Sequence, residues 1–245
     1  MRELHYHPGN ASLAPHILLE AIGVPYRRVL VDRARGAHKQ PDYLRLNPNG
    51  LIPVLVDDGD GAHPLVLYES AAICLHLCDA HPQAGLAPAF GTRRRAHFYK
   101  WLVWLTNTLQ ATLIPYFYPE RWVEPGNAEG TRQVRQAAAE RVGGLLDILD
   151  AELARHGGPW LLAPEAQADG SEDGGSPATA TVTDAAGWSA VDAYALMLCR
   201  WTRGFDGAVR PARERPQLGP YLQRLLAVPA VQRVFAHEGI AAPLV

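Results

Sequence analysis

The segment Asn47-Pro-Asn-Gly-Leu-Ile-Pro53-Val-Leu-Val56 is followed, thirteen residues after Pro53, by Val66-Leu-Tyr-Glu69-Ser70. It reads as a loop, a strand opening on an X-Pro bond, an Asp/Gly-rich turn at 57–61, and a second strand running straight into a helix near Glu69-Ser70. A proline at a strand start has no N–H to give a ladder, and its peptide bond adopts cis at a cost of about 0.5–1 kcal/mol. A cis bond before Pro53 would turn the Ile52 backbone outward, where it could pair with an extended peptide. The first turn of the following helix carries free N–H groups, and with the Ser70 hydroxyl these form a site for a carboxylate. Together these features describe a docking site for a small acidic peptide.

At 245 residues and 48% hydrophobic content the chain is long enough for one large or two smaller domains. A net charge of −2 without a basic run argues against nucleic acid as a partner. No apolar stretch approaches the ~18 residues of a membrane span. No signal-peptide pattern precedes the first strand, so a cytoplasmic protein is expected. Three cysteines, Cys74, Cys78 and Cys199, make no disulfide framework. Cys74 and Cys78, one helical turn apart, read as core residues, and no metal site is expected.

An α+β chain is expected. Residues 3–6 read as a strand, Ser12–Ala21 as a helix capped by Ser12 and closed by Gly23, and Tyr26–Val31 as a second strand. A short helical turn, the two strands above and a helix from Ser70 to Asp79 complete a unit at 1–80. A linker at 81–92 leads to an all-helical domain at 93–245. Its expected helices are Arg93–Leu113, interrupted near Ile114-Pro115; Arg132–Arg155, ended by Gly157-Gly158; a segment from Ser189 to about Trp201; and short C-terminal pieces. Ser189-Ala-Val-Asp192 matches a capping box. The stretch at 164–183, rich in Gly, Ser and Ala, is expected to be a flexible surface insertion.

The strand order, with proline opening the third strand, resembles a thioredoxin-like domain. With Tyr6, Asn10, Ser12, Pro15 and His16 near the N-terminus, the chain resembles the glutathione S-transferase family, most of all its bacterial beta class. The resemblance implies that Ile52 and Pro53 hold the cysteinyl backbone of glutathione. Glu69 and Ser70 would take its γ-glutamyl ammonium and carboxylate, and His38 and Lys39 its glycine carboxylate. It also implies a homodimer in which Asn107 and Thr108 reach the partner's glutathione. The second substrate would be a hydrophobic electrophile in an aromatic cleft with Tyr116, Tyr118 and Trp122. Trp101 and Trp104 read instead as core.

The chain departs from the beta class at two points. The catalytic cysteine aligns with Ala11, and the second-site histidine with Gln110. Tyr6, Asn10 and Ser12 remain as candidates for activating the thiol, although Ser12 also serves as a cap and Tyr6 as a packing residue. A thiol of pKa ~8.5 is about 3% ionised at pH 7, and a two-unit drop, roughly 2.7 kcal/mol, makes thiolate the major form. One hydrogen bond to sulfur and a helix dipole can supply that. Conjugation therefore survives the loss of the cysteine. A glutathione-dependent lyase, reductase or isomerase and a noncatalytic binding protein stand as alternatives.

Overall fold

The computed structural model describes residues 1–58, 63–164, 187–205 and 209–245. Strands β1 (Arg2–Tyr6), β2 (Tyr26–Leu30), β3 (Val54–Asp57) and β4 (Leu65–Tyr68) form one mixed sheet in the order β2-β1-β3-β4. β1 pairs parallel with β2 and antiparallel with β3, and β3 pairs antiparallel with β4. Successive side chains of a strand point to opposite faces. Accordingly Leu4 and Leu55 pack into the main core with helices α1 (Leu13–Ile22) and α3 (Ser70–Ala80). Val54 and Val56 face a smaller cluster around Tyr43 of α2 (Pro41–Leu46). This is the thioredoxin-like arrangement expected from the strand order.

Gly23 ends α1 in the left-handed conformation, as expected. Ser12 does not cap it: its backbone is helical and its side chain makes no capping bond. The hydroxyl turns back, donating to the His7 carbonyl (3.1 Å) and accepting from the His7 N–H (3.3 Å). It thus closes the β1–α1 loop on itself. The stretch expected to be mobile, 164–183, lies outside the described residues from 165 on, as do 59–62 of the Asp/Gly turn.

The remainder of the described chain is helical. α4 (Arg93–Trp104) passes through a π-helical segment (Leu105–Gln110) into α5 (Ala111–Phe117). The expected break at Ile114-Pro115 does not occur there. Pro115 sits inside α5, which ends only where the Tyr118 N–H reaches the Ile114 carbonyl (2.9 Å). The irregularity falls instead one turn earlier, in the π segment. α6 (Ala128–His156) starts four residues before its expected onset, because the Asn127 side chain accepts from the Gly130 N–H (2.8 Å). Then come α7 (Ala190–Trp201), α8 (Leu218–Leu226) and α9 (Pro229–His237).

α7 is buried from Ala190 to Arg200, on every side, as befits a helix at the centre of a bundle. α1 packs against α3, α7 and α9, so one continuous core joins the sheet unit to the helices. Cys74, Cys78 and Cys199 belong to that core; burial pushes the Cys78 and Cys199 thiols up to about 12. No helix among the described residues is long and apolar enough to cross a membrane.

Asp192, expected to close a capping box, does more than that. Its fully buried carboxylate accepts from the Ser189 N–H (2.8 Å) and hydroxyl (2.9 Å), the Leu161 N–H (2.8 Å) and the Tyr221 hydroxyl (2.8 Å). Burial raises its pKa, while the four donors work against that rise. Asp192→Ala strands those donors in the core, and urea unfolding is expected to show a loss of about 3–5 kcal/mol. A loss below about 1 kcal/mol would contradict the assignment.

Candidate active site

A cavity of about 470 Å3 opens between the sheet unit and the helices. The β1–α1 loop supplies His7, Pro8, Gly9, Asn10 and Ala11 to its wall, and the opposite side carries Gln110, Ile114, Phe117, Tyr118 and Trp201. Its size falls in the range of small-molecule sites, roughly 300–1,000 Å3.

The loop is held at His7, Gly9, Asn10 and Ala11. His7 Nδ1 donates to the Val31 carbonyl (3.0 Å), and Ser12 pins the His7 backbone. Gly9 is gripped on both sides: its N–H donates to Glu238 Oε2 (2.7 Å), and its carbonyl accepts from Trp201 Nε1 (3.0 Å). Glu238 Oε1 also meets His16 Nδ1 at 2.6 Å, with both side chains fully buried. Asn10 Oδ1 accepts from the Ala11 N–H (2.5 Å), which leaves the amide NH2 as the free donor of that side chain. Ser70 Oγ donates to the Ala11 carbonyl (3.0 Å), fastening the N-terminus of α3 to the loop.

The other wall of the sheet unit is built by Asn47. Its side chain donates to the Leu51 carbonyl (2.9 Å) and accepts from the Asn49 N–H (3.1 Å), while Tyr43 also donates to Leu51 (2.8 Å). Gly50 turns with φ +60°, and a Cβ there would lie 2.8 Å from both the His38 carbonyl and Lys39 Nζ. Only glycine lets the turn carrying His38 and Lys39 close over this loop. The Ile52–Pro53 bond is cis, and neither the amide nor the carbonyl of Ile52 is taken up by another backbone group among the described residues.

Of the residues expected in the site, Asn10, His38, Lys39, Ile52 and Tyr118 line this cavity. Pro53 follows Ile52 into β3. Glu69 and Ser70 stand at the start of α3, one hydrogen bond from the cavity wall at Ala11. Glu69 is the one non-glycine residue at positive φ among those described (φ +70°), a conformation costing of order 1–3 kcal/mol that clusters at functional sites. Tyr6 is absent from the wall and packs on His16, ring centroids 5.8 Å apart. Ser12 is fully buried.

Two of the expected electrophile-pocket residues are elsewhere. Tyr116 points into the helices, its ring 4.4 Å from that of Phe205, because the pitch of α5 turns Phe117 and Tyr118 to the cavity instead. Trp122 is half exposed and does not line the cavity. Trp101, Trp104 and Trp188 pack in or against the core. Asn107 and Thr108 lie outside the cavity, on a shallow groove with Tyr99, Lys100, Val103 and Trp104.

Several site residues carry no local signal in the sequence. Arg33 donates to the Tyr118 hydroxyl (2.9 Å), and the Arg121 guanidinium lies 4.0 Å from the Tyr118 ring centre. Arg203 and His7 also line the wall. Burial lowers the His38 pKa, and the charges of Lys39, Arg33 and His7 lower it further. His16, Glu20 and His237 bring ligand atoms within 4.8 Å of one another. Glu20, however, already accepts from the Tyr26 hydroxyl (2.5 Å) and Arg233 (3.0 Å), which makes it a poor metal ligand.

Comparison with known proteins agrees with this geometry. Residues 11–80 match the glutathione S-transferase N-terminal domain model. The chain is 30% identical to glutathione S-transferase GST-4.5 of Xanthomonas campestris pv. campestris, over 97% of this chain and 99% of that protein. A sphingomonad glutathione S-transferase solved in complex with glutathione is 30% identical, with a TM-score of 0.71 over 98% of this chain and 100% of the other. The beta-class enzyme of Sphingomonas chungbukensis is 27% identical, with a TM-score of 0.70 over the same shares. The four-stranded sheet and its helices define a thioredoxin-like unit followed by a helical one. The chain belongs to the glutathione S-transferase family.

Glu238→Ala would strand the Gly9 N–H and the buried His16, and equilibrium unfolding is expected to register a loss of about 2–4 kcal/mol. Trp201→Phe removes one hydrogen bond to the same residue, at a cost of about 1 kcal/mol. If Glu238→Ala is no more damaging than a surface substitution, the loop is not held in this way.

Proposed function

We propose that this protein is a glutathione transferase that binds glutathione along the sheet side of the cavity and ionises its thiol. The thiolate is then presented to an electrophile on the helical side. The observation that carries this reading is the convergence of loop 7–11, His38, Lys39 and Ile52 on one cavity, with the α3 N-terminus bonded to its wall. Residues 1–80 act as the glutathione-binding domain.

In this reading the unpaired amide and carbonyl of Ile52 take the cysteinyl residue in an extended pairing, beside Pro53. The γ-glutamyl carboxylate meets the first amides of α3, the Ser70 N–H among them, while the Ser70 hydroxyl keeps that helix end on the Ala11 carbonyl, and Glu69 meets the ammonium. Lys39 and His38 meet the glycine carboxylate, Lys39 as a permanent charge. Asn10 is the catalytic residue. Its Oδ1 is already committed to Ala11, so its NH2 is the donor available to the sulfur. Tyr6 and Ser12 act as positioning residues, one packed on His16 and the other holding His7.

The thiol proton leaves to solvent as glutathione binds. The thiolate then forms the bond to the electrophilic carbon, and the leaving group departs with the electron pair. The protein contributes placement and a donor aimed at developing charge rather than a nucleophile of its own. The exposed groove holding Asn107 and Thr108 is proposed as the seam of a homodimer, through which both reach the partner's site. Its half-exposed Val103 and Tyr99 suit such a contact.

Titration calorimetry with glutathione, followed by turnover of 1-chloro-2,4-dinitrobenzene, tests the reading. Asn10→Ala is expected to lower kcat/KM by about 10- to 100-fold while leaving the glutathione Kd within about threefold. Binding without turnover on any electrophile points to a noncatalytic protein, and no binding removes the proposal.

The lowered pKa of His38 gives a second expectation. A carboxylate bound beside it raises that pKa, so His38 takes up a proton on binding while the thiol of glutathione releases one. S-methylglutathione has no thiol proton to lose, so its affinity should rise as the pH falls from 7 towards 6, and calorimetry in buffers of different ionisation enthalpy should report the uptake. His38→Gln should diminish that uptake; a pH-independent affinity of the native protein for S-methylglutathione would contradict a role for His38.

A further inference from the structure

We infer that the second substrate is a small organic anion, an apolar or aromatic body bearing a carboxylate or similar group, held by Arg121 and Arg203. The inference rests on the glutathione reading and names the class of co-substrate that shares the cavity. It adds an anionic group to the hydrophobic electrophile expected from the resemblance.

Among the described residues, the wall of the cavity carries Arg33, Lys39, Arg121 and Arg203 as permanent cations, with His7 and His38 besides, and includes no Asp or Glu. The whole chain has a net charge of −2, so this is a local concentration of one sign and not the by-product of a basic protein. A cleft lined by one sign of charge between low-dielectric walls focuses its field on the ligand.

The cations fall into two sets. Arg33, His38 and Lys39 belong to the sheet unit, on the side assigned to glutathione. Arg121, in the turn after α5, and Arg203, in the turn after α7, belong to the helical side. Glutathione's other carboxylate is assigned to the α3 N-terminus, behind Ala11, and so does not account for this second set.

Neither of the two is engaged with a carboxylate among the described residues. The ion pairs there use Arg2, Arg27, Arg35, Arg45, Arg95, Arg132, Arg155, Arg213, Arg215 and Arg233. Arg203 donates one N–H to the Arg200 carbonyl (3.0 Å), which orients the guanidinium and leaves donors over. The Arg121 guanidinium carbon lies 4.0 Å over the Tyr118 ring, a cation–π contact that holds it beside the cavity. Ile114, Phe117 and Trp201 provide the apolar surface beside them. A guanidinium beside an aromatic wall suits an aromatic acid, with the ring on the wall and the carboxylate on the fork.

The matched probes are 4-chloro-3-nitrobenzoate and its methyl ester, each at saturating glutathione. In both, the thiolate sulfur bonds the chlorine-bearing ring carbon, chloride leaves with the electron pair, and the carboxylate or ester is unchanged. Their intrinsic reactivities differ, but that difference cancels when the native protein is compared with an Arg121→Gln/Arg203→Gln double variant.

The ratio of KM for the acid to KM for the ester is expected to rise about tenfold or more in the variant, as two charged hydrogen bonds are lost. In the native protein, KM for the acid alone should climb with added salt. A ratio that stays put would overturn the inference. Quenching of tryptophan fluorescence by 3-nitrobenzoate and by methyl 3-nitrobenzoate gives the same comparison without turnover: tighter binding of the acid, lost in the variant, supports the inference, and equal binding overturns it. Calorimetry with glutathione on the same samples separates the two claims. Absent glutathione binding removes the reading on which the inference rests; intact glutathione binding without selectivity for the acid removes the inference alone.

Discussion

Gly9 is held at both ends of its peptide unit by residues roughly two hundred positions away in sequence. Glu238, at the C-terminal end of α9, accepts its N–H, and Trp201, at the end of α7, donates to its carbonyl. The same Glu238 carboxylate is buried against His16 of α1. One acidic group thus fixes the β1–α1 loop and the helix that follows it. An unpaired carboxylate in that position would be costly to bury, so its two partners are a condition of the fold as well as of the site. Because α1, α7 and α9 share a core, the loop is fixed with respect to both walls of the cavity.

From that anchoring follow the neighbouring contacts. Ser12 ties the loop to His7, Ser70 ties α3 to Ala11, and Asn10 is turned so that its carbonyl oxygen is spent on Ala11 and its NH2 is left over. Asn10 is poorly suited to be a nucleophile, and as a fixed donor it is well suited to stabilise one. In the proposed reaction the attacking sulfur arrives with the substrate, which fits an alanine at position 11 where the resemblance to the beta class places a cysteine.

The thioredoxin-like half was legible because its signals are local. Alternating strands, Pro53 at a strand start, Gly23 at a helix end and Ser70 at a helix start each reflect a short-range constraint. Asn10, His38, Lys39 and Ile52 could be assigned to the site for the same reason: each sits on a loop or turn whose position the strand order fixes. Glu238, Trp201, Arg121 and Arg203 could not, since nothing in their own neighbourhoods says that the first two meet Gly9 or that the two arginines face the same cavity. Ser12 misled in a particular way. Its position before a helix is that of a cap, but the return of the loop gave its hydroxyl a nearer partner in His7. Tyr116 failed for a different reason: within an aromatic run, helical pitch decides which rings face a cavity and which face the core.

The account turns on whether a clamped loop carrying Asn10 makes a thiolate out of bound glutathione. The direct measurement is an ultraviolet titration of the glutathione complex, following thiolate absorbance against pH with occupancy checked by calorimetry. The bound thiol is expected to titrate about two units below the ~8.5 of a free thiol, and to move back towards that value in Asn10→Ala. A bound thiol that titrates as it does in free solution would contradict the account.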